Sequence, residues 1–251
     1  MKAAMTATRR AADTLILFIV MLAIWEVLHR IAGSTALPAP LATMTYLMHV
    51  VPSPRFAANA AATLLAFSFA LALAYAIGLA VGVWMGAHRL SGAVGEPILV
   101  AIYSLPKITL YPVVLLIFGL GLSGKVAFGA MHGILPVALL TMGAIRAIPP
   151  VYLRSARTLH LSPWQTIATV LLPAALPEVF TGLRIGFTVT LLGVLLGEMF
   201  ASKLGLGAMI MNAMSLAQSE EMMTVAIVLF AFAAIANALL LWVEHRLHRR
   251  V

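Results

Sequence analysis

The chain has 251 residues, of which 63% are apolar and 10% charged, against about 45–50% and 25% in soluble domains, and this excludes an ordinary water-soluble domain. Its 16 Lys/Arg and 8 Asp/Glu side chains cannot coat a soluble core of this size, so most of its surroundings must be lipid. The +8 net charge forms no concentrated patch with interleaved aromatics, which argues against nucleic acid, and the lack of cysteine excludes thiolate metal sites, iron–sulfur clusters, thiol catalysis and disulfides.

A bilayer core of about 30 Å takes roughly 20 apolar residues in helix. Six runs of that kind follow in chain order: Thr14–Ala32, Ala60–Ala87, Leu99–Leu120, Val126–Ile145, Val179–Phe200 and Met222–Val243. They are continuous, not alternating, which disfavours a closed β-barrel. The first is long enough to span and lacks a small-residue cleavage site, so it reads as a retained anchor. The next connection, Gly33–Asn59, carries Pro38, Pro40, Pro52 and Pro54 around the short run Leu41–Val51, a predicted helix on the membrane surface. The second run bears Gly78, Gly82 and Gly86 at four-residue spacing, and the fifth bears Gly193 and Gly197, ridges that let helix backbones approach closely. Pro106 and Pro112 interrupt the third. The predicted fold class is all-α, a polytopic membrane protein of about six transmembrane helices in one domain, residues 1–251.

Short-loop cations favour the cytoplasmic side. With the N-terminus inside, ten lie inside (Lys2, Arg9, Arg10, Arg89, Arg146, Arg154, Arg157, Arg246, Arg249, Arg250) and four outside (Arg30, Arg55, Lys125, Lys203). Both termini are therefore expected in the cytoplasm.

The long inside connection, about residues 146–177, reads as two short helices. Pro149 and Pro150 start the first. His160 ends it, a residue type that tolerates left-handed geometry comparatively well. Ser162, Pro163 and Gln165 form a capping box for the second. Tyr152, Leu159, Leu161 and Trp164 beside Arg154 and Arg157 make an aromatic-centred knob with basic flanks. Such a knob suits a groove in a partner protein, or else an anionic lipid surface.

Spacing favours the first. Arg154-Ser155-Ala156, three residues to His160, nine to Val170, then Leu171-Leu172-Pro173 fit without a gap the Glu-Ala-Ala, three residues, Gly, nine residues, Ile-x-Leu-Pro frame. That frame is the cytoplasmic motif of ABC-importer permeases of the binding-protein-dependent class, which the chain resembles over nearly its whole length. Arg157-Thr158-Leu159, Trp164-Gln165, Leu172 to Pro177 and Thr181-Gly182-Leu183-Arg184 are similar to the sulfonate, taurine and nitrate permease branch. So are Leu37-Pro38-Ala39-Pro40, Pro106 to Pro112 and Phe118-Gly119-Leu120-Gly121. Three positions depart from the frame: Arg154 stands for Glu, Ser155 for the first Ala and His160 for Gly.

The resemblance implies the permease subunit of an ATP-driven importer in the bacterial inner membrane. Its partners would be a second permease copy, as a homodimer, two cytoplasmic ATP-binding subunits and an external solute-binding protein. It assigns the ATPase contact to Tyr152, Arg154, Ser155, Ala156, Arg157, Leu159, His160, Leu161 and Trp164. The external segments Leu37–Arg55 and Leu204–Glu221 would meet the binding protein, with Met209, Met211 and Met214 either docking or packing. No phosphate-binding G-x-x-x-x-G-K-[ST] loop is present, so the chain is not expected to be an enzyme or to bind a cofactor, and ATP and Mg belong to the partner. No metal site is expected.

Polar residues within spans suggest function. Lys107, between two prolines, lies on an anion path or snorkels to the interface. Glu198 lines the cavity mouth or sits at the interface. Thr188, with Thr181 and Thr190, faces the path or bonds its own helix. His132 and Asn237 read as glue between helices. Two rival functions compete with this reading. Gly121-Leu122-Ser123-Gly124 matches the Gly-x-Ser-Gly of rhomboid-like serine proteases, but the sixth span holds no partner histidine. A secondary transporter or channel would show paired broken helices in two mirrored halves, and only the third span is broken.

Overall fold

The computed structural model describes residues 2–248, so the predicted inside cations Arg249 and Arg250 lie outside the described residues. Every regular element among the described residues is helical. In order they are α1 (Lys2–Ala32), α2 (Pro40–Val50), α3 (Pro54–Ala87), α4 (Arg89–Ser104), a 3-10 turn (Lys107–Leu110), α5 (Tyr111–Phe118) and α6 (Leu122–Arg146). Then come α7 (Pro150–Thr158), α8 (Pro163–Thr166), a π-turn (Ile167–Leu171), α9 (Leu172–Ala201), α10 (Leu206–Ser215) and α11 (Ser219–His248). Five helical stretches are long and apolar enough to cross a membrane, six if a bent pair counts as one span. The run Leu41–Val51 is helix α2, as its pattern predicts.

Two predicted boundaries move. The third span, expected over Leu99–Leu120, is instead the pair Arg89–Ser104 and Lys107–Phe118, bent by 86°. The cause is local: Leu105, preceding a proline, is extended at φ −69°, ψ 138°, and Pro106 offers no N–H to continue α4. The fifth span, expected from Val179, belongs to a helical run from Trp164 to Ala201. The inside connection, expected to run to about residue 177, is helical from Pro163 on, and the π-turn just ahead of Pro173 widens the ladder and carries the chain past Pro173 and Pro177. The predicted second loop helix is thus the first turn of that run.

The core is a three-helix contact of α3, α6 and α9. Ala66, Ala70 and Ala74 of α3 are fully buried, as are Val137 and Ala138 of α6 and Val194 of α9. The glycine ridge of α3 faces α6. A Cβ at Gly78 would lie 2.7 Å from Val137 and one at Gly82 2.6 Å from the Thr141 Cβ, closer than atoms pack, so these positions demand glycine. In lipid, where apolar burial drives little, such close packing holds helices together. By contrast, the α1 segment Ala12–Ala32 is unburied along its length. It is held at one end, where Trp25 Nε1 donates to the Pro38 carbonyl at 3.0 Å and His29 Nδ1 bonds the Leu37 carbonyl at 2.7 Å.

Candidate functional site

The knob between α6 and α9 is a preformed turn. Pro150 opens α7, and His160, at φ 51°, closes it in the left-handed geometry its residue type tolerates. The His160 N–H donates to the Arg157 carbonyl at 3.0 Å and the Leu161 N–H to the Ala156 carbonyl at 3.1 Å, the two bonds of a Schellman motif. Its apolar partners are Ala156, 2% exposed, and half-buried Leu161. Two residues on, the Ser162 N–H donates to Gln165 Oε1 at 2.9 Å and the Gln165 N–H to Ser162 Oγ at 3.3 Å, the reciprocal capping box. Back-to-back caps fix the direction in which α7 leaves and α8 begins.

Of the nine residues assigned to the ATPase contact, Ala156 faces inward and Leu161 is half-buried, while Tyr152, Arg154, Ser155, Arg157, Leu159, His160 and Trp164 are exposed. Leu159 and Trp164 are 70% and 75% exposed.

The three residues assigned to the substrate path do not converge. Lys107 sits in the elbow between α4 and α5, half-buried, its Nζ donating to the Tyr103 carbonyl at 3.2 Å and 4.5 Å from the Tyr103 ring centroid. Thr188 is exposed and donates to the Arg184 carbonyl of its own helix at 3.3 Å. Glu198 is fully buried. Its Oε2 accepts from Thr63 Oγ1 at 2.8 Å and from the Gly207 N–H at 3.1 Å, and Oε1 lies 3.6 Å from Lys125 Nζ.

That node extends further than sequence reading suggested. Lys125, counted as an outside loop cation, is buried and donates to the Leu204 carbonyl at 2.6 Å. Asn59 Oδ1 accepts from the Gly205 N–H and Thr63 Oγ1 from the Leu206 N–H, both at 2.8 Å. Together they clamp the α9–α10 turn, where Gly205 sits at φ 129°. The signal was available: a carboxylate in an apolar run must find a cation, and Lys125 lies at the same end of the neighbouring span. A second clamp joins α9 to α11, where Arg184 Nε donates to Glu244 at 2.5 Å and Thr181 Oγ1 donates to the other carboxylate oxygen at 2.5 Å. Asn237 accepts from Arg184 at 3.4 Å, bridging α9 and α11. His132 bonds the Phe128 carbonyl of its own helix at 2.9 Å, and its ring lies against α9, where a Cβ at Gly193 would come 2.8 Å from His132 Nδ1.

The external methionines divide: Met209 is buried, Met211 half-buried and Met214 57% exposed. Ser123 donates to the Phe118 carbonyl at 2.7 Å, a bond within its own turn and not to a base. No group of three or more His, Asp or Glu side chains that could hold a metal ion occurs among the described residues.

Long apolar helices, one broken pair and a capped, exposed turn between two of them define a polytopic membrane protein. Residues 74–251 match the binding-protein-dependent transport system inner membrane component family, and the chain belongs to it. It is 26% identical over 219 residues to a protein of Bacillus subtilis provisionally named the aliphatic sulfonates transport permease protein SsuC, covering 86% of this chain and 79% of that one. It is 26% identical to the nitrate import permease protein NrtB of Leptolyngbya laminosa, over 95% of this chain and 88% of the relative. It is 29% identical to the taurine transport system permease protein TauC of Escherichia coli, over 71% and 62%. Among solved structures, a chain of the MetNI methionine ABC transporter in an inward-facing conformation superposes with a TM-score of 0.61 at 23% identity, over 75% of this chain and 92% of that one. The fold is that of ABC-importer permeases, and the chain is a multi-pass permease subunit of such an importer. A secondary transporter or channel is not favoured.

Proposed function

We propose that two copies of this chain form the translocation path of an importer for a small anion of the sulfonate, taurine or nitrate type. Each copy receives one of two cytoplasmic ATP-binding subunits on its 150–173 segment. An external binding protein delivers the solute, both termini lie in the cytoplasm, and the chain acts as one transmembrane domain. The chain itself hydrolyses nothing and binds no cofactor; ATP and Mg sit on the partner. The capped turn that displays Leu159 and Trp164 carries the docking reading, because free apolar anchors on a rigid turn fit a groove. The anion reading is supported by the names of the relatives and by a Lys107 ammonium at the elbow of the broken span that has no carboxylate partner among the described residues.

The test is the reconstituted complex in proteoliposomes. Trp164→Ala should leave the chain folded and lower both substrate-stimulated ATP hydrolysis and uptake of taurine or nitrate. Unchanged hydrolysis and uptake would reject docking through this turn.

A further inference from the structure

From the charge on the knob we infer the chemistry of its partner: the groove of the ATP-binding subunit that receives this turn is acidic, and the arginines select that subunit. The inference rests on the docking reading above and adds to it what kind of surface docks.

Arg154 and Arg157 lie three apart on α7 and both are exposed, so they share one face of the helix. Neither arginine has a carboxylate partner among the described residues. No Asp or Glu occurs between Glu96 and Glu178. Where a carboxylate is within reach this chain pairs its cations: Arg146, at the base of the same connection, is held by Glu96 at 2.6 Å, Arg55 by Glu221 at 2.9 Å, and Arg184 by Glu244 at 2.5 Å. The two knob arginines alone on this connection are left bare, although like charges three apart repel. They flank three exposed apolar residues, Tyr152, Leu159 and Trp164. Arg154 also stands where the motif frame carries Glu, so a groove matched to the ordinary motif would meet a charge of the wrong sign here. Complementary charge sets partner choice and encounter rate more than it sets raw affinity, and a like-charged groove would be rejected.

A lipid surface is the competing occupant. An interfacial helix lays a long apolar face along the membrane, whereas α7 is only nine residues long and the most exposed apolar side chains, Leu159 and Trp164, stand at the capped turn beyond its end, with Val151 and Tyr152 in its first turn. The geometry is that of a plug, not of a float.

The full chain in phosphatidylcholine nanodiscs is titrated with the ATP-binding subunit that co-purifies with the intact complex, expressed separately. Affinity should fall about tenfold or more between 50 and 500 mM KCl, since screening weakens exposed charge pairs. Arg154→Glu with Arg157→Glu should weaken binding by about a hundredfold at the lower salt, and Arg154→Lys with Arg157→Lys should retain most of it. Replacing a groove carboxylate of the ATPase by Lys should restore binding to the double Glu variant. If binding ignores salt and charge reversal while Trp164→Ala abolishes it, docking is purely apolar: the inference falls and the docking reading stands. If neither Trp164→Ala nor charge reversal matters, the docking reading fails and takes the inference with it. A third outcome also overturns the inference. With the other tryptophans replaced by Phe and no ATPase present, Trp164 emission would shift to the blue in phosphatidylglycerol discs for the wild-type arginines only, assigning them to lipid.

Discussion

The outer node makes the sharpest stability prediction. Lys125→Met removes the one cation beside Glu198, whose side chain is 0% exposed against 8% for Lys125. Oε1 of Glu198 accepts no hydrogen bond from any neighbour, so the ammonium at 3.6 Å is its sole compensation. The same change strips the Leu204 carbonyl of its donor. Removing one partner of a buried pair costs about 3–5 kcal/mol, because the remaining charge stays buried and alone. At about 2–4 °C per kcal/mol for a chain of this size, the apparent Tm should fall by about 6–20 °C. Glu198→Gln added to Lys125→Met leaves two neutral groups, with Thr63 and the Gly207 N–H still able to bond the amide oxygen. The double variant should therefore be more stable than Lys125→Met alone, a coupling of about 1–3 kcal/mol between the sites. Thermal unfolding in detergent by scanning fluorimetry, checked by survival of the monodisperse peak on size exclusion, reads both quantities. A single-variant loss under about 1 kcal/mol, or strictly additive effects, would show that the pair is not held as a desolvated ion pair.

Gly82→Leu should abolish the α3–α6 contact, since even a Cβ there meets Thr141 at 2.6 Å; loss of folded protein on size exclusion reads it, and a normal yield and Tm would contradict the packing. Lys107→Ala should leave assembly and Tm unchanged and lower uptake of taurine or nitrate, and unchanged uptake with unchanged substrate-stimulated hydrolysis would remove Lys107 from the path. His160→Gly should be neutral to slightly stabilising, while His160→Val should cost about 1–2 kcal/mol through its left-handed φ of 51°, read by Tm. Burial and then the neighbouring Glu221 carboxylate hold the Tyr46 phenol above its ordinary value. The unfolded phenol ionises near 10, so its share of stability is intact below pH ~10 and lost as pH rises through the folded value. Tyr46→Phe should flatten that alkaline slope of Tm against pH.

What was legible in the sequence was what depends on local pattern. The capping box at Ser162 and Gln165 and the turn at His160 depend on residues within six positions of one another, and each is found where the pattern puts it. The spans too are visible, since twenty apolar residues have few other uses. What failed to read was the outcome of competition between signals. Pro106 was seen as an interruption, yet whether a proline kinks a span or turns it through 86° depends on what the next segment packs against, here Tyr111 and Val114 of α5 on Phe128 of α6. The span was expected to begin only at Val179, after the connection ending near Pro177, because a π-turn has no composition signature. The polar nodes were illegible for another reason. Asn59 and Thr63 are unremarkable alone and are joined to Glu198 only by long-range packing, 135 residues apart in the case of Thr63.

The π-turn and the outer node belong to one element, and this bears on how a knob can act at a distance. From Pro163 to Ala201 the chain is helical throughout, so the exposed Trp164 and the buried Glu198 lie at opposite ends of a single run. A run of 38 residues rises about 57 Å, more than the roughly 30 Å of a bilayer core. If the turn docks as proposed, a push on it reaches α9 without a relay of loops, and the far end of α9 is held to α3, α6 and α10 through Thr63, Lys125 and Gly207. The π-turn is the one irregular stretch in that run, and Pro173 and Pro177 deny it two of the bonds that would stiffen its neighbourhood. Bending at Ile167–Leu171 and tilting of the whole run are then the two ways such a push can be taken up, and the contacts at Glu198 and at Arg184–Glu244 oppose the second.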